Sequence, residues 1–310
     1  MNLINEKAIE AYVKNTTLKQ MLIIPAILLI LSLSILAYTT YRTGAPFQLG
    51  LEFKGGTAAY FDSEKTPDQL KEEFKAFNVA ETRQYGGGQR KIIQFGPMDA
   101  SLKDELIAKL KAEFTNVEIR DMGEQFSKSL QVQAVRAIII SFFLMAIVVF
   151  ITFRTFVPSG AVLVSAFADI AFAGAMMDVF GILLSLGTVA ALLMLIGYSV
   201  DTDILLTTRL LKRKGDLNDK IRDAMKTGLT MTTTTLGALV ALFIVSSGLI
   251  GSFLLIDIIR DISIVLIFGL IADIVNTWMT NVGILRWYIE RKSQKSEKKI
   301  EKPKKRRQAA

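Results

Sequence analysis

Residues 134–153 read AVRAIIISFFLMAIVVFITF. An α-helix of about 20 residues rises about 30 Å, the thickness of a bilayer's hydrocarbon core, and this one carries a single charge, Arg136, near its start. Five more stretches have the same character: 20–38, 157–177, 182–206, 229–249 and 262–285. The 310-residue chain is 51% apolar with a mean hydropathy of +0.39, and the surplus is gathered in these runs. The pattern predicts an α-helical polytopic membrane protein with six transmembrane helices. The first span is too long and starts too late for a signal-peptide core, and no small-residue cleavage site follows it, so it is expected to stay as an anchor.

Lys and Arg in short loops set orientation, while a long translocated domain is exempt. Lys7, Lys14 and Lys19 precede span 1, Arg154 lies between spans 2 and 3, and Arg209, Lys212, Arg213, Lys214, Lys220, Arg222 and Lys226 crowd the region between spans 4 and 5. The short loops of the other face offer Arg260 alone. Both termini of a multi-pass cell-membrane protein are therefore expected in the cytoplasm. The expected division is a cytoplasmic tail 1–19, span 1 over 20–41, an extracytoplasmic domain 42–133, spans 2–6 within 134–288, and a basic cytoplasmic tail 289–310. Eleven Lys and Arg stand between Arg286 and Arg307 against three Glu. That run suits a lipid surface. Its part beyond Ile289 has no aromatics and gives nucleic acid only nonspecific attraction, so no specific nucleic acid is expected as a partner.

The outer segment reads as α+β. Thr57 to Phe61, Thr82 to Tyr85, Arg90 to Phe95 and Val117 to Arg120 have strand character, with Gly86-Gly87-Gly88 as a hairpin. Thr66-Pro67 opens a helix through Phe77, and Asp99 to Phe114 carries Leu102, Leu106, Leu110 and Phe114 on one stripe. The order β-α-β-β-α-β predicts a ferredoxin-like domain between helices 1 and 2.

Cys and His are both absent. That excludes disulfides, thiolate or imidazole metal sites, Cys nucleophiles and His-based triads. Proton chemistry would fall to carboxylates, Lys or Tyr. Gly50-Leu51-Glu52-Phe53-Lys54-Gly55-Gly56-Thr57 nearly spells a phosphate-binding loop, but Gly56 stands where that loop needs Lys. Gly50, Glu52, Gly55 and Gly56 instead suit a bend leading from span 1 into the outer domain. Neither a cofactor nor a metal is expected, and the chain does not read as an enzyme.

Carboxylates inside the spans are the informative residues, since an Asp at the bilayer centre costs about 2.5–3.5 kcal/mol to insert. They are Asp169 in span 3, Asp201 and Asp203 in span 4, and Asp273 in span 6. Asp201 and Asp203 are about 200° apart around a helix and cannot share a face. In span 6, Asp273, Asn276, Thr277, Thr280 and Asn281 form one polar stripe. Ser165 and Asp169 repeat the i, i+4 spacing in span 3, and Thr202 in span 4 with Thr232 and Thr233 in span 5 add hydroxyls. This polar seam has two readings. It is interhelical glue, or it is a path for protons or ions.

The chain resembles the SecF family of protein-export membrane subunits, of the resistance-nodulation-division superfamily, in its archaeal type. The motifs that carry the resemblance are Leu49 through Thr57 after span 1, Gly123-Glu124-Gln125-Phe126 before span 2, and Ile196-Gly197-Tyr198-Ser199-Val200-Asp201-Thr202-Asp203 in span 4. The resemblance implies a complex with SecD beside a SecYEG-type channel, acting on unfolded or emerging polypeptide, with proton flow through span-4 carboxylates. It maps Asp201 onto the position SecD-type chains use, Thr202 onto the bacterial SecF Asp, and Asp169 onto a family Asp in span 3. It also places Met231 where bacterial SecF has an intramembrane Arg, and Glu52 where the outer motif usually has Asp. The alternative reading is a standalone proton-coupled transporter of small molecules or lipids.

Overall fold

The structure, a computed structural model, describes residues 6–84, 90–247, 257–292 and 294. An N-terminal helix α1 (Glu6–Asn15) leads into α2 (Leu18–Thr43). Thr17 and Gln20 close a capping box at the start of α2, and Gly44 ends it in a left-handed turn at φ 79°. Part of the segment expected as a tail is therefore packed: Ile9 and Val13 of α1 are buried against the bundle.

The domain that follows, called the outer domain after its expected side, runs α3 (Leu51–Lys54), β1 (Gly56–Asp62), α4 (Pro67–Glu73), a 3-10 turn (Lys75–Phe77), β2 (Val79–Gln84), β3 (Arg90–Phe95), α5 (Ala100–Glu113) and β4 (Thr115–Met122). Thr66 and Gln69 cap α4 reciprocally around Pro67. Asn78 at φ 53° closes the turn that follows, so the expected helix to Phe77 is two pieces. β2 begins at Val79 and β4 is longer at both ends than its apolar core suggested; Gly86-Gly87-Gly88 lies outside the described residues. The four strands are antiparallel in the order β2-β3-β1-β4. Alternate residues of β1 and β3 (Ala59, Phe61, Ile93, Phe95) turn to one face and pack with Leu70, Phe74, Leu106 and Leu110 of the helices.

Asp121 ties β4 to its neighbours: Thr57 donates to it at 2.7 Å and Lys103 at 2.5 Å. Burial works against its charge, but these two hydrogen bonds outweigh it and hold the carboxyl below its usual range. A depressed pKa stabilises the fold above the unfolded-state value, and the contribution is lost as pH falls through the folded one. The site is half exposed and screened, so Asp121→Asn is expected to lower the outer domain's stability by about 0.5–1 kcal/mol at neutral pH. Protease resistance of the full-length protein checks this; the difference from wild type should begin to shrink as pH falls below about 4 and vanish once pH is below the folded-state value.

The bundle comprises α6 (Glu124–Phe153), α7 (Phe156–Phe180), α8 (Leu186–Lys212), α9 (Leu217–Ser246) and α10 (Asp257–Val275), the last continuing through a π-helical turn at Asn276–Asn281 into helix up to residue 292. α6 is unbroken across position 133, where the outer domain was expected to end. The last helix likewise runs past 288. Residues 295–310 of the basic tail lie outside the described residues. Among the described residues, five helices, α2 and α6–α9, are long and apolar enough to cross a membrane; the sixth expected span, 262–285, straddles the π turn. α2 and α6 expose Ile23, Ile27, Ile30, Ile139, Phe143 and Ile151, whereas α7 is lined with buried Ala161, Ala166, Ala168, Ala171, Ala173 and Ala175. Such small residues let backbones approach closely where lipid supplies no hydrophobic drive between helices. α7, α8 and α9 surround α10.

Candidate functional site

Three helices bring three carboxylates into one buried polar network. Asp169 (α7), Asp203 (α8) and Asp273 (α10) are all fully buried. Asn276 donates its Nδ2 to Asp169 Oδ1 at 2.7 Å, and Ser199 donates its hydroxyl to Asp169 Oδ2 at 2.5 Å. Asp203 Oδ1 accepts Asn281 Nδ2 at 2.7 Å and stands 2.8 Å from Thr277 Oγ1. Thr277 Oγ1 is also 3.0 Å from Asp273 Oδ1. The segments 157–177, 186–206 and 262–285 contain no Lys or Arg, so within them these carboxylates have only neutral donors.

Thr277 has one hydrogen to give. If it donates to Asp203, its contact with Asp273 is a hydrogen bond only when Asp273 carries a proton and donates it. Reversing both bonds moves that proton from Asp273 to Asp203 without moving a heavy atom. Asp203 Oδ2, Asp273 Oδ2, Asn281 Oδ1 and the Ser165 hydroxyl are buried and meet no hydrogen-bond partner at normal distance. A buried polar group without a partner costs about 1–3 kcal/mol. No group of three His, Cys, Asp or Glu among the described residues is arranged to hold a metal ion.

The whole span-6 stripe, Asp273 with Asn276, Thr277, Thr280 and Asn281, is buried; Thr280 adds a 3.5 Å contact to Asn276 Oδ1. Asp201 is not in the network. It is exposed on the opposite side of α8, with Tyr198 43% exposed near it, as the 200° separation requires. Thr202 is buried and packs by its methyl toward Gly228. Thr232 is buried but Thr233 is exposed, and the hydroxyls of Thr230, Thr234 and Thr235 donate back to carbonyls of their own helix at 2.7–3.1 Å. The threonine run of α9 therefore supplies no cross-helix bond through these three. Ser199 is the partner that spacing missed; it stands four residues before Asp203, on the same face, and that offset was the available signal.

Gly50, Glu52, Gly55 and Gly56 belong to a joint. Gly50 N–H donates to Leu184 O at 2.8 Å, and a Cβ there would stand 2.8 Å from that oxygen. Phe53, 1% exposed, inserts among Ala173, Met177, Leu192 and Leu195 of the bundle. Gly55 and Gly56, at φ 74° and 105°, turn the chain into β1, and Glu52 is half-buried in the four-residue α3.

Comparison with known proteins matches residues 102–291 to the family model for the C-terminal region of the protein-export membrane proteins SecD and SecF. The protein-export membrane protein SecF of Methanolacinia petrolearia is 48% identical over 275 residues, covering 88% of this chain and 94% of that protein. The SecF of Pyrococcus furiosus is 40% identical over 286 residues, covering 89% and 93%. In structure, the chain is similar to SecDF of Thermus thermophilus, described as a translocon-associated membrane protein, with a TM-score of 0.70 at 19% identity. That likeness covers 92% of this chain and spans 38% of the SecDF chain, and it concerns the fold alone. Relatives this similar over nearly their whole length leave one assignment: the chain belongs to the SecF family of protein-export membrane proteins.

Proposed function

We propose that this chain is an accessory subunit of the Sec translocase that works with a SecD-type partner, and that the Asp273–Thr277–Asp203 relay moves protons during its cycle. The observation that carries the relay is the single hydroxyl of Thr277 set between two buried carboxylates with no Lys or Arg in the three segments that hold the network. Six spans, both termini in the cytoplasm and a ferredoxin-like outer domain complete the reading. The strand order β2-β3-β1-β4 with helices on one face supports the last of these.

Asp201 has a different role in this reading. A carboxylate exposed on a membrane helix, beside Gly197 and Tyr198, is costly against lipid and suits a protein neighbour. The SecD-type partner would cover it. A cleft of about 850 Å³ between the outer sheet, at Tyr60, Ile92 and Gln94, and the bundle's outer end, at Leu183 and Arg260, is where emerging polypeptide would be received.

Isolation of the tagged protein from native membranes in mild detergent tests the assembly. A SecD-type protein and SecYEG-type channel subunits should co-purify and be identified by mass spectrometry. Recovery of the chain with only copies of itself would move the reading to a standalone transporter, for which gradient-driven flux in liposomes is the measurement.

A further inference from the structure

The π turn at Asn276–Asn281 creates a hydrogen-bonding problem that the N-terminal helix solves. In an unbroken α-helix the N–H of Val282 would go to the carbonyl of Trp278. Here it goes to Thr277 O, five residues back, and to Met279 O. The Trp278 carbonyl is passed over, in a site where the Trp278 residue is 2% exposed. It accepts a bond from elsewhere: the hydroxyl of Tyr12, in α1, donates to Trp278 O at 2.8 Å.

The seat for this contact is built on both sides. Ile9 and Val13 of α1 are buried with Leu206, Leu210, Ile221 and Leu285. Arg286, one turn beyond the π segment, donates to Val13 O at 3.4 Å and to Asn218 Oδ1 at 3.3 Å. The Trp278 ring lies against Gly228, where a Cβ would stand 2.4 Å from Cζ2. Burial pushes the Tyr12 phenol up to about 12, so it is protonated and able to donate at neutral pH.

We propose that Tyr12 is a positioning residue for the carboxylate network, holding the last helix in the π register that seats Asn276 on Asp169 and Asn281 on Asp203. An inserted residue rotates everything beyond it by about 100° relative to what precedes it. Both ends of the polar stripe reach their partners only with the insertion in place. If the turn relaxed to α, Asn276 and Asn281 could not both stay bonded, and Asp203 would lose a donor. The hydroxyl of a helix outside the membrane thereby sets the hydrogen bonds of a site inside it. The inference concerns the register of the network and stands whether or not the network carries protons.

Tyr12→Phe in the full chain, reconstituted in lipid nanodiscs, removes only the hydroxyl. Amide exchange over residues 276–286 should rise by about tenfold while residues 6–15, still held by Ile9, Val13 and Arg286, stay near wild type. A double-mutant cycle with Asn281→Ala on thermal stability should be non-additive, because both changes act on one contact; Ile9→Ala, which weakens α1 docking alone, should add to Asn281→Ala. Unchanged exchange over 276–286, or additive effects for Tyr12→Phe and Asn281→Ala, would overturn the proposal. If α1 itself loosens in Tyr12→Phe, the Ile9→Ala variant decides: residues 276–286 loosening equally there would also overturn it, and staying protected would support the hydroxyl's role.

Discussion

Proton-driven export is expected to fall to the level of a strain lacking this chain when Asp203→Asn and Asp273→Asn are combined. Asn keeps the shape of Asp and can still accept one bond and donate another, so the helices should remain packed. An amide cannot take up and release a proton, so the exchange through Thr277 stops. Because the three groups act as one chain, each single replacement should cost nearly as much as both together. Export of a reporter pre-protein, followed in cells with and without an uncoupler, gives the readout. Uncoupler-sensitive export that persists in the double variant would leave the network as interhelical glue, each contact giving about 0.6–2 kcal/mol.

Gly56→Val should unfold the outer domain. Gly56 sits at φ 105°, and a Cβ there would lie 2.2 Å from the carbonyl oxygen of Phe95, a backbone atom that cannot swing aside. Backbone strain costs about 1–3 kcal/mol and overpacking a similar amount. Together they reach about 4 kcal/mol, a large part of the 5–15 kcal/mol or so that holds a typical domain. The damage spreads because β1 is a central strand: Gly56 pairs with Met122 of β4, and Thr57 with Phe95 of β3. Protease digestion of the full-length protein should remove the region between α2 and α6 and spare the helices. Gly44→Ala is the control, since φ there is 79° but nothing lies within 4 Å of an added Cβ; strain alone, about 1 kcal/mol, should leave the domain resistant.

Much of this protein is legible along the chain, for reasons that particular segments make plain. The span at 134–153 is visible because hydrocarbon thickness demands a run of apolar residues, and that demand is local. The β3 strand at Arg90–Phe95 and the start of α4 at Pro67 are read at their true positions, since alternation and capping act over a few neighbours. The stripe from Asp273 to Asn281 is recognisable as one face by spacing alone, and all of it is buried. The start of α6 is less legible: Glu124 to Gln133 is polar, and hydropathy hides helix that runs on past the bilayer.

The sequence by itself determined five of the expected apolar helices, the order of elements in the domain between α2 and α6, the polar stripe and the rule that Asp201 and Asp203 face opposite ways. Which of those two points inward, that Ser199 completes the Asp169 site, that the threonines of α9 turn back on their own helix, and that Tyr12 caps a carbonyl 266 positions away were decided only by tertiary structure. The physical reason is that periodicity fixes angles within a helix but not the rotation of one helix against another. That rotation comes from packing at close approaches such as Gly228 against Trp278, and a π turn differs from an α turn by one backbone bond that no residue pattern here announces.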